Sequence, residues 1–216
     1  MGLKERRERE RAELRGRMLD AARRLFTERG YEHVTMRAIA EAVEYSPAAI
    51  YSHFTDKTAL FRELCESDFN QFTATFAPLL VISDPIERLL GMGEAYLQFG
   101  VAYPEHYKLL FMSKSVPGIE PANGHSPEPS ENAYAFLLVT VRDALESGRA
   151  RPEFDDAELL AQALWAGLHG VISLHLVKGD QDFAQWRPAL DTARLLMRFT
   201  LEGIVRPDDP ARQAWR

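Results

Sequence analysis

The sequence predicts an all-α protein, and three features point that way. Apolar residues recur at intervals of three and four along almost the whole chain. No segment shows the strict apolar–polar alternation of a half-buried strand. Residues that cap helices stand where the periodic stretches begin: Thr35, Ser46 before Pro47, Asp84 before Pro85, and Asp155-Asp156. A length of 216 residues is enough for one core or two smaller ones.

Residues 1–14 mix Arg and Glu with almost no apolar side chains. They read as a solvated helical extension, with a basic arm reaching a DNA backbone or minor groove as the functional alternative. Leu14, Met18, Ala21, Ala22, Leu25 and Phe26 mark a first helix, which Gly30 stops as a glycine just past a helix end does. Thr35 caps a second helix running to about Val43 on Ile39, Ala40 and Val43. Ser46 caps a third over roughly 47–54, with Pro47 at its first position and Ile50 and Phe54 as its buried stripe. Asp56 opens a longer helix through Leu60, Phe61, Leu64, Phe69, Phe72 and Phe76. Beyond Pro78 the periodicity predicts helices near 85–103, 104–113, 130–147, 155–178 and 186–205, with the proline-rich stretch 113–130 as a connecting loop.

Charge is divided unevenly. Residues 1–62 carry 13 Lys and Arg against 10 Asp and Glu, a net +3, which leaves 13 against 22, a net −9, for residues 63–216. An acidic remainder repels phosphate, so any contact with nucleic acid is confined to the N-terminal part. The single cysteine, Cys65, excludes an internal disulfide and fits a reducing cytoplasm. The start lacks the apolar core of a signal peptide. The most apolar stretch, Ala163 to Val177, is shorter than the ~20 residues that cross a bilayer. A soluble cytoplasmic protein with no membrane partner is expected.

The second and third helices, joined by a tight turn, form a helix-turn-helix, whose second helix enters the DNA major groove. On a wheel at ~100° per residue, Ala48, Ala49 and Ser52 oppose the buried stripe, with Tyr51 and His53 flanking it. Such a face can approach base edges while the two rings reach phosphates. Thr35, Arg37 and Lys57 bracket the helix and can add a hydroxyl, a guanidinium and an ammonium. Tyr45 is either packing or a further phosphate contact. With no Arg, Asn or Gln on the exposed face, direct base discrimination per half-site is modest and DNA shape supplies the rest.

Phe26, Gly30-Tyr31, Thr35, Ile39-Ala40, Ser46, Tyr51-Ser-His53-Phe54 and Lys57 together resemble the DNA-binding domain of the TetR/AcrR family of transcriptional regulators. Two departures stand out: Glu44 and Tyr45 occupy the turn where Gly and a small aliphatic are usual, and Pro47-Ala48 replace a basic residue and Gly. A left-handed Glu44 would cost about 1 kcal/mol. The match covers about residues 14–62, so the expected division is an arm 1–14, a helix-turn-helix domain 15–62, and a helical domain 63–216 for ligand binding and dimerisation. Tyr103-Pro-Glu-His-Tyr-Lys-Leu-Leu-Phe111 and Trp165-Ala-Gly-Leu-His169-Gly170 further resemble the family's subgroup named for a Trp-His-Gly motif.

The resemblance implies a homodimer through the helices near 155–178 and 186–205, bound to a palindromic double-stranded operator. It also implies repression relieved when a ligand shifts helix 104–113 against helix 57–76. Met92, Tyr96, Phe99, Tyr103, Tyr107, Phe111, Phe136, Trp165 and His169 are the candidate ligand contacts, with core packing as the plain alternative for each. Their apolar character suits a small hydrophobic or aromatic effector. His169 could instead hold a backbone carbonyl while Gly170 permits close helix packing. No catalytic constellation, cofactor motif or metal-ligand spacing is present, and His169 and His175, six apart, lie on different helix faces. An enzyme is not expected. An all-α interaction module without DNA binding, and an activator of the same fold, are the rival readings.

Overall fold

The computed structural model describes residues 2–114, 116 and 126–213, so most of the expected loop 113–130 lies outside the described residues. Nine α-helices are found among them: α1 Leu3–Arg29, α2 Met36–Ala42, α3 Pro47–Tyr51, α4 Lys57–Ala74, α5 Pro85–Ala102, α6 Pro104–Phe111, α7 Ala133–Glu146, α8 Ala157–Lys178 and α9 Ala189–Ile204. Extended pairing among the described residues is limited to one isolated bridge between Ala150 and Val205. The chain divides into two compact units, one of Met1–Phe69 with Glu105–Gly124, the other of Asn70–Pro104 with His125–Arg216. The division falls seven residues beyond the expected boundary after residue 62, inside α4, because Leu60, Phe61 and Leu64 are buried in the first unit's core. It also draws α6 into the first unit through Leu109.

In the first unit, the expected arm is the first part of α1. Its Arg and Glu residues are spaced for pairing one turn apart, as in Lys4–Glu8, Arg6–Glu10 and Arg9–Glu13, and each such pair adds a few tenths of a kcal/mol to an exposed helix. Gly30 ends α1 at φ 78°, ψ 156°, a conformation open only to glycine. The core gathers Met18, Ala22, Leu25 and Phe26 of α1, Ile39 and Ala40 of α2, Ile50 of α3, and the buried face of α4.

In the second unit, α5 packs with α7, α8 and α9, and Ile86, Val141, Ala161, Ile204 and Val205 lie at its centre. Gly93 of α5 and Gly167 of α8 each face a side chain of α9 at close range. A Cβ on Gly93 would stand 2.2 Å from the Met197 sulfur, and one on Gly167 3.3 Å from Leu196. Gly170, for which close packing was the alternative reading, has nothing within 4 Å of such a Cβ. Arg149 ties the ends of the bundle together by donating to Asp84 at 2.6 Å and to both oxygens of Asp209.

α8 is longer than the apolar run read from the sequence. At 22 residues it is the one helix among those described that is long and apolar enough to cross a membrane. Leu159, Leu174 and Val177 on it are exposed, as are Leu195 and Phe199 on α9.

Candidate nucleic-acid interface

The turn between α2 and α3 is built by backbone geometry rather than by glycine. Tyr45 N–H donates to the Ala40 carbonyl at 2.9 Å and Glu44 N–H to the Glu41 carbonyl at 3.1 Å, the two bonds of a Schellman motif. The residue between helix end and turn must then be left-handed, and Glu44 is, at φ 62°, the one non-glycine residue with positive φ among those described. Tyr45 is exposed, with the Arg17 guanidinium over its ring at 5.8 Å and Arg17 also donating to the Val43 carbonyl.

α3 starts as expected. Ser46 Oγ accepts from Ala49 N–H at 3.3 Å and Pro47 takes the first position. It ends earlier than expected, at Tyr51, so His53 lies past its last turn. Ile50 is fully buried, which turns Ala48, Tyr51 and Ser52 to the outside, Tyr51 with 56% of its surface exposed. Ala49 is half-buried and leaves less of the face open than the wheel implied. Ser52 Oγ donates its proton to the Ala49 carbonyl at 2.7 Å, so towards a base edge it offers acceptor lone pairs only.

The flanking groups are more committed than the sequence suggests. Thr35 caps α2 by accepting from Ala38 N–H at 3.1 Å, which leaves its own proton to donate. Arg37 is exposed but paired with Glu41 on the next turn at 2.8 Å. Lys57 donates to the Tyr31 carbonyl at 2.9 Å, with its ammonium 4.2 Å above the Tyr31 ring. Its charge stays at the start of α4, but part of its donor capacity is used inside the unit.

His53 is half-buried beside this face. Its Nδ1 is buried without a partner, and burial, reinforced by the nearby positive charges of Arg11 and Arg15, pushes its pKa down. The shift favours the uncharged ring, which can donate one hydrogen bond.

Sequence reading missed what holds the end of α3. Arg11 donates to the Ser52 carbonyl at 3.2 Å and Arg15 to the His53 carbonyl, so two α1 cations cap a helix C-terminus, where positive charge is favoured. Arg15 also grips Glu63 of α4 with two nitrogens and lies over the Phe54 ring at 4.2 Å. The signal was the recurrence of Arg between residues 6 and 17 of α1, which by itself reads as a solvated face.

The candidate ligand contacts fall in both units. Tyr107 and Phe111, rings 5.0 Å apart, belong to the first unit with α6. In the second, Phe72 meets Phe76, Tyr96 and Phe99, Phe76 meets Phe136, and Phe99 meets Tyr103, all at ring distances of 5.0–6.5 Å. Met92 is buried on α5. The polar part is a chain: Trp165 Nε1 donates to the Tyr96 hydroxyl at 3.1 Å, and that hydroxyl lies 3.3 Å from His169 Nδ1. The indole donates in this chain, and burial pushes the His169 pKa down. No group of three or more His, Cys, Asp or Glu suited to a metal occurs among the described residues.

Comparison with known proteins agrees with this geometry. Residues 18–64 match the description "Bacterial regulatory proteins, tetR family", and residues 89–200 match "Tetracyclin repressor-like, C-terminal domain". The chain is 43% identical over 60 residues to the HTH-type transcriptional repressor Rv1474c of Mycobacterium tuberculosis, covering 28% of this chain and 32% of that protein. It is 29% identical over 144 residues to the HTH-type transcriptional activator FasR of Mycolicibacterium smegmatis, covering 65% of each. A solved structure from Saccharomonospora viridis, described as a transcriptional regulator in complex with choline, is 26% identical, with a TM-score of 0.69 over 90% of this chain and 99% of that one.

Proposed function

The chain belongs to the tetR family of bacterial regulatory proteins, and on that premise we propose that it is a cytoplasmic, DNA-binding transcriptional regulator. It acts as a homodimer on a palindromic operator that a small molecule makes it release. The observation that supports this most directly is α3: one fully buried residue, Ile50, fixes a small outward face of Ala48, Tyr51 and Ser52. Thr35 and Tyr51 donate to phosphates, and Lys57 adds charge at the start of α4.

Self-association is supported by α8 and α9. Leu159, Leu174, Val177, Leu195 and Phe199 are large, apolar and exposed, a combination that marks a surface meant to be covered. A second copy covers it with the same residues and sets two heads on one duplex. The effector reading rests on the aromatic cluster of the second unit, with Tyr96, Trp165 and His169 as its polar handle, and suits a small hydrophobic or aromatic molecule. The choline bound by the Saccharomonospora viridis protein supports a small-molecule effector. Likeness to an activator over 65% of the chain favours activation as the second reading of sign.

The test is electrophoretic mobility shift on the gene's own upstream DNA. Wild type gives a discrete complex that Ala48→Glu abolishes while its circular dichroism stays unchanged. An unaltered shift in Ala48→Glu would remove α3 from the interface and leave an interaction module as the reading.

A further inference from the structure

The second unit holds a histidine whose two ring nitrogens both face acceptors. His175 stands in the last turn of α8. Its Nδ1 lies 2.8 Å from the Val171 carbonyl, one turn back on the same helix, and its Nε2 lies 2.9 Å from the Arg187 carbonyl, at the entry to α9. A carbonyl oxygen can only accept, so each contact is a hydrogen bond only when that nitrogen carries a proton. Neutral imidazole has one N–H and the imidazolium has two. The uncharged ring can therefore hold one of the two carbonyls, and it turns a lone pair towards the other.

We infer that His175 is a proton-operated clasp, which fastens the connection between α8 and α9, residues 179–188, as an imidazolium and lets go of one attachment as a neutral ring. The ring stands at a helix C-terminus, where unpaired carbonyls favour a positive charge. It is half-buried against the connection, its centroid 5.3 Å from that of Trp186, which meets Phe183 edge-on at 5.5 Å. Other hydrogen bonds of the connection among the described residues are local. Gln181 N–H donates to the Lys178 carbonyl, Trp186 N–H to the Ala184 carbonyl, and Trp186 Nε1 to the Gln181 carbonyl. Phe183 is 70% exposed, so the tie through His175 spans a segment with little buried surface of its own.

The clasp acts on the start of α9. Arg187 is followed by Pro188, whose carbonyl accepts from Thr192 N–H at 3.1 Å in the first turn of that helix. Holding the Arg187 carbonyl therefore steadies this turn. Farther along, α9 carries Leu201 and Ile204 into the core, and Leu195 and Phe199 lie exposed on it. The charged groups on the elements that meet the ring are Lys178 on α8, Asp180, Asp182 and Arg187 in the connection, and Asp191 on α9. Arg194 of α9 is paired with Glu94 of α5. Imidazole is the side chain whose charge ordinarily changes between pH 5 and 8, so the two settings lie within a physiological range. DNA binding plays no part in this inference.

The experiment is hydrogen–deuterium exchange on the full chain at pH 5.5 and 8, corrected for intrinsic rates, with wild type, His175→Gln and His175→Phe. The loss of one hydrogen bond is worth about 1 kcal/mol, so wild type should exchange about five- to tenfold more slowly at pH 5.5 than at pH 8 over residues 179–192. Both variants should lose that difference. An equal response in the variants, or none in wild type, would overturn the inference. Nitrogen-15 spectra of the histidine rings give a second readout on wild type, with the His175 signals assigned by their absence in His175→Gln. Both ring nitrogens should carry protons at pH 5.5 and one of them at pH 8. A His175 ring with a single proton at pH 5.5 would overturn the inference as well.

Discussion

Two helical faces lie open on this chain, and they differ in kind. The α3 face is short and built of Ala48, Tyr51 and Ser52, whereas the α8–α9 face carries Leu159, Leu174, Val177, Leu195 and Phe199. The first offers water a few hydroxyls and methyls, and its exposure needs no partner to offset it. The second exposes side chains whose burial stabilises by roughly 1.5–3 kcal/mol each. A surface that suits a hydrated polyanion can therefore be told from one that suits a protein by what it would lose in water.

The largest expected effect strikes beneath the first face. Arg23 of α1 donates to both oxygens of Asp68 on α4, and both residues are buried. Arg23→Ala leaves the Asp68 carboxylate buried without its guanidinium, which should destabilise the first unit by about 3–5 kcal/mol. Thermal melting should then split into an early transition for that unit and a later one for the second. A single unshifted transition would show that the pair does not stabilise the head.

Phe199→Glu tests the second face. A carboxylate in a desolvated interface should weaken dimerisation at least about tenfold, seen as monomer by sedimentation velocity with helicity unchanged. A two-half-site operator should then be bound more weakly, and a single half-site as before. A dimer that persists would move the seam away from α9.

Tyr51→Phe sharpens the first face with a smaller change, the loss of one phosphate hydrogen bond worth about 1 kcal/mol, or about fivefold in affinity. Fluorescence anisotropy should show the loss to be uniform across operator sequences, because phosphates carry no sequence. A loss that depended on sequence would place Tyr51 on a base edge.

The smallest effect distinguishes a neutral ring from a cation at His53. Its pKa is depressed by burial and by Arg11 and Arg15, so the unfolded chain takes up its proton first as pH falls. Stability from this group is present above the ordinary histidine value of 6.5 and is lost as pH falls towards the lowered one. Melting temperature between pH 7.5 and 5.5 should fall slightly less in His53→Gln than in wild type. A larger fall in the variant would mean that His53 is charged in the fold.

Helix positions, caps and buried stripes were legible in the sequence, because each depends on residues within a turn or two of one another. Thr35, Ser46 and Asp84 cap the helices that their spacing predicts, and Ile50 is buried where the wheel put it. Fold class and the reading head follow from such short-range rules. Partnership was not legible. That Lys57 turns to Tyr31, that Arg15 holds both Glu63 and the end of α3, and that Arg23 takes Asp68 depend on residues from 26 to 48 positions apart. Periodicity says which side of a helix is apolar, but not which helix will meet it. A charged side chain takes whichever acceptor the packed core brings within about 3 Å, and only the tertiary structure decides that.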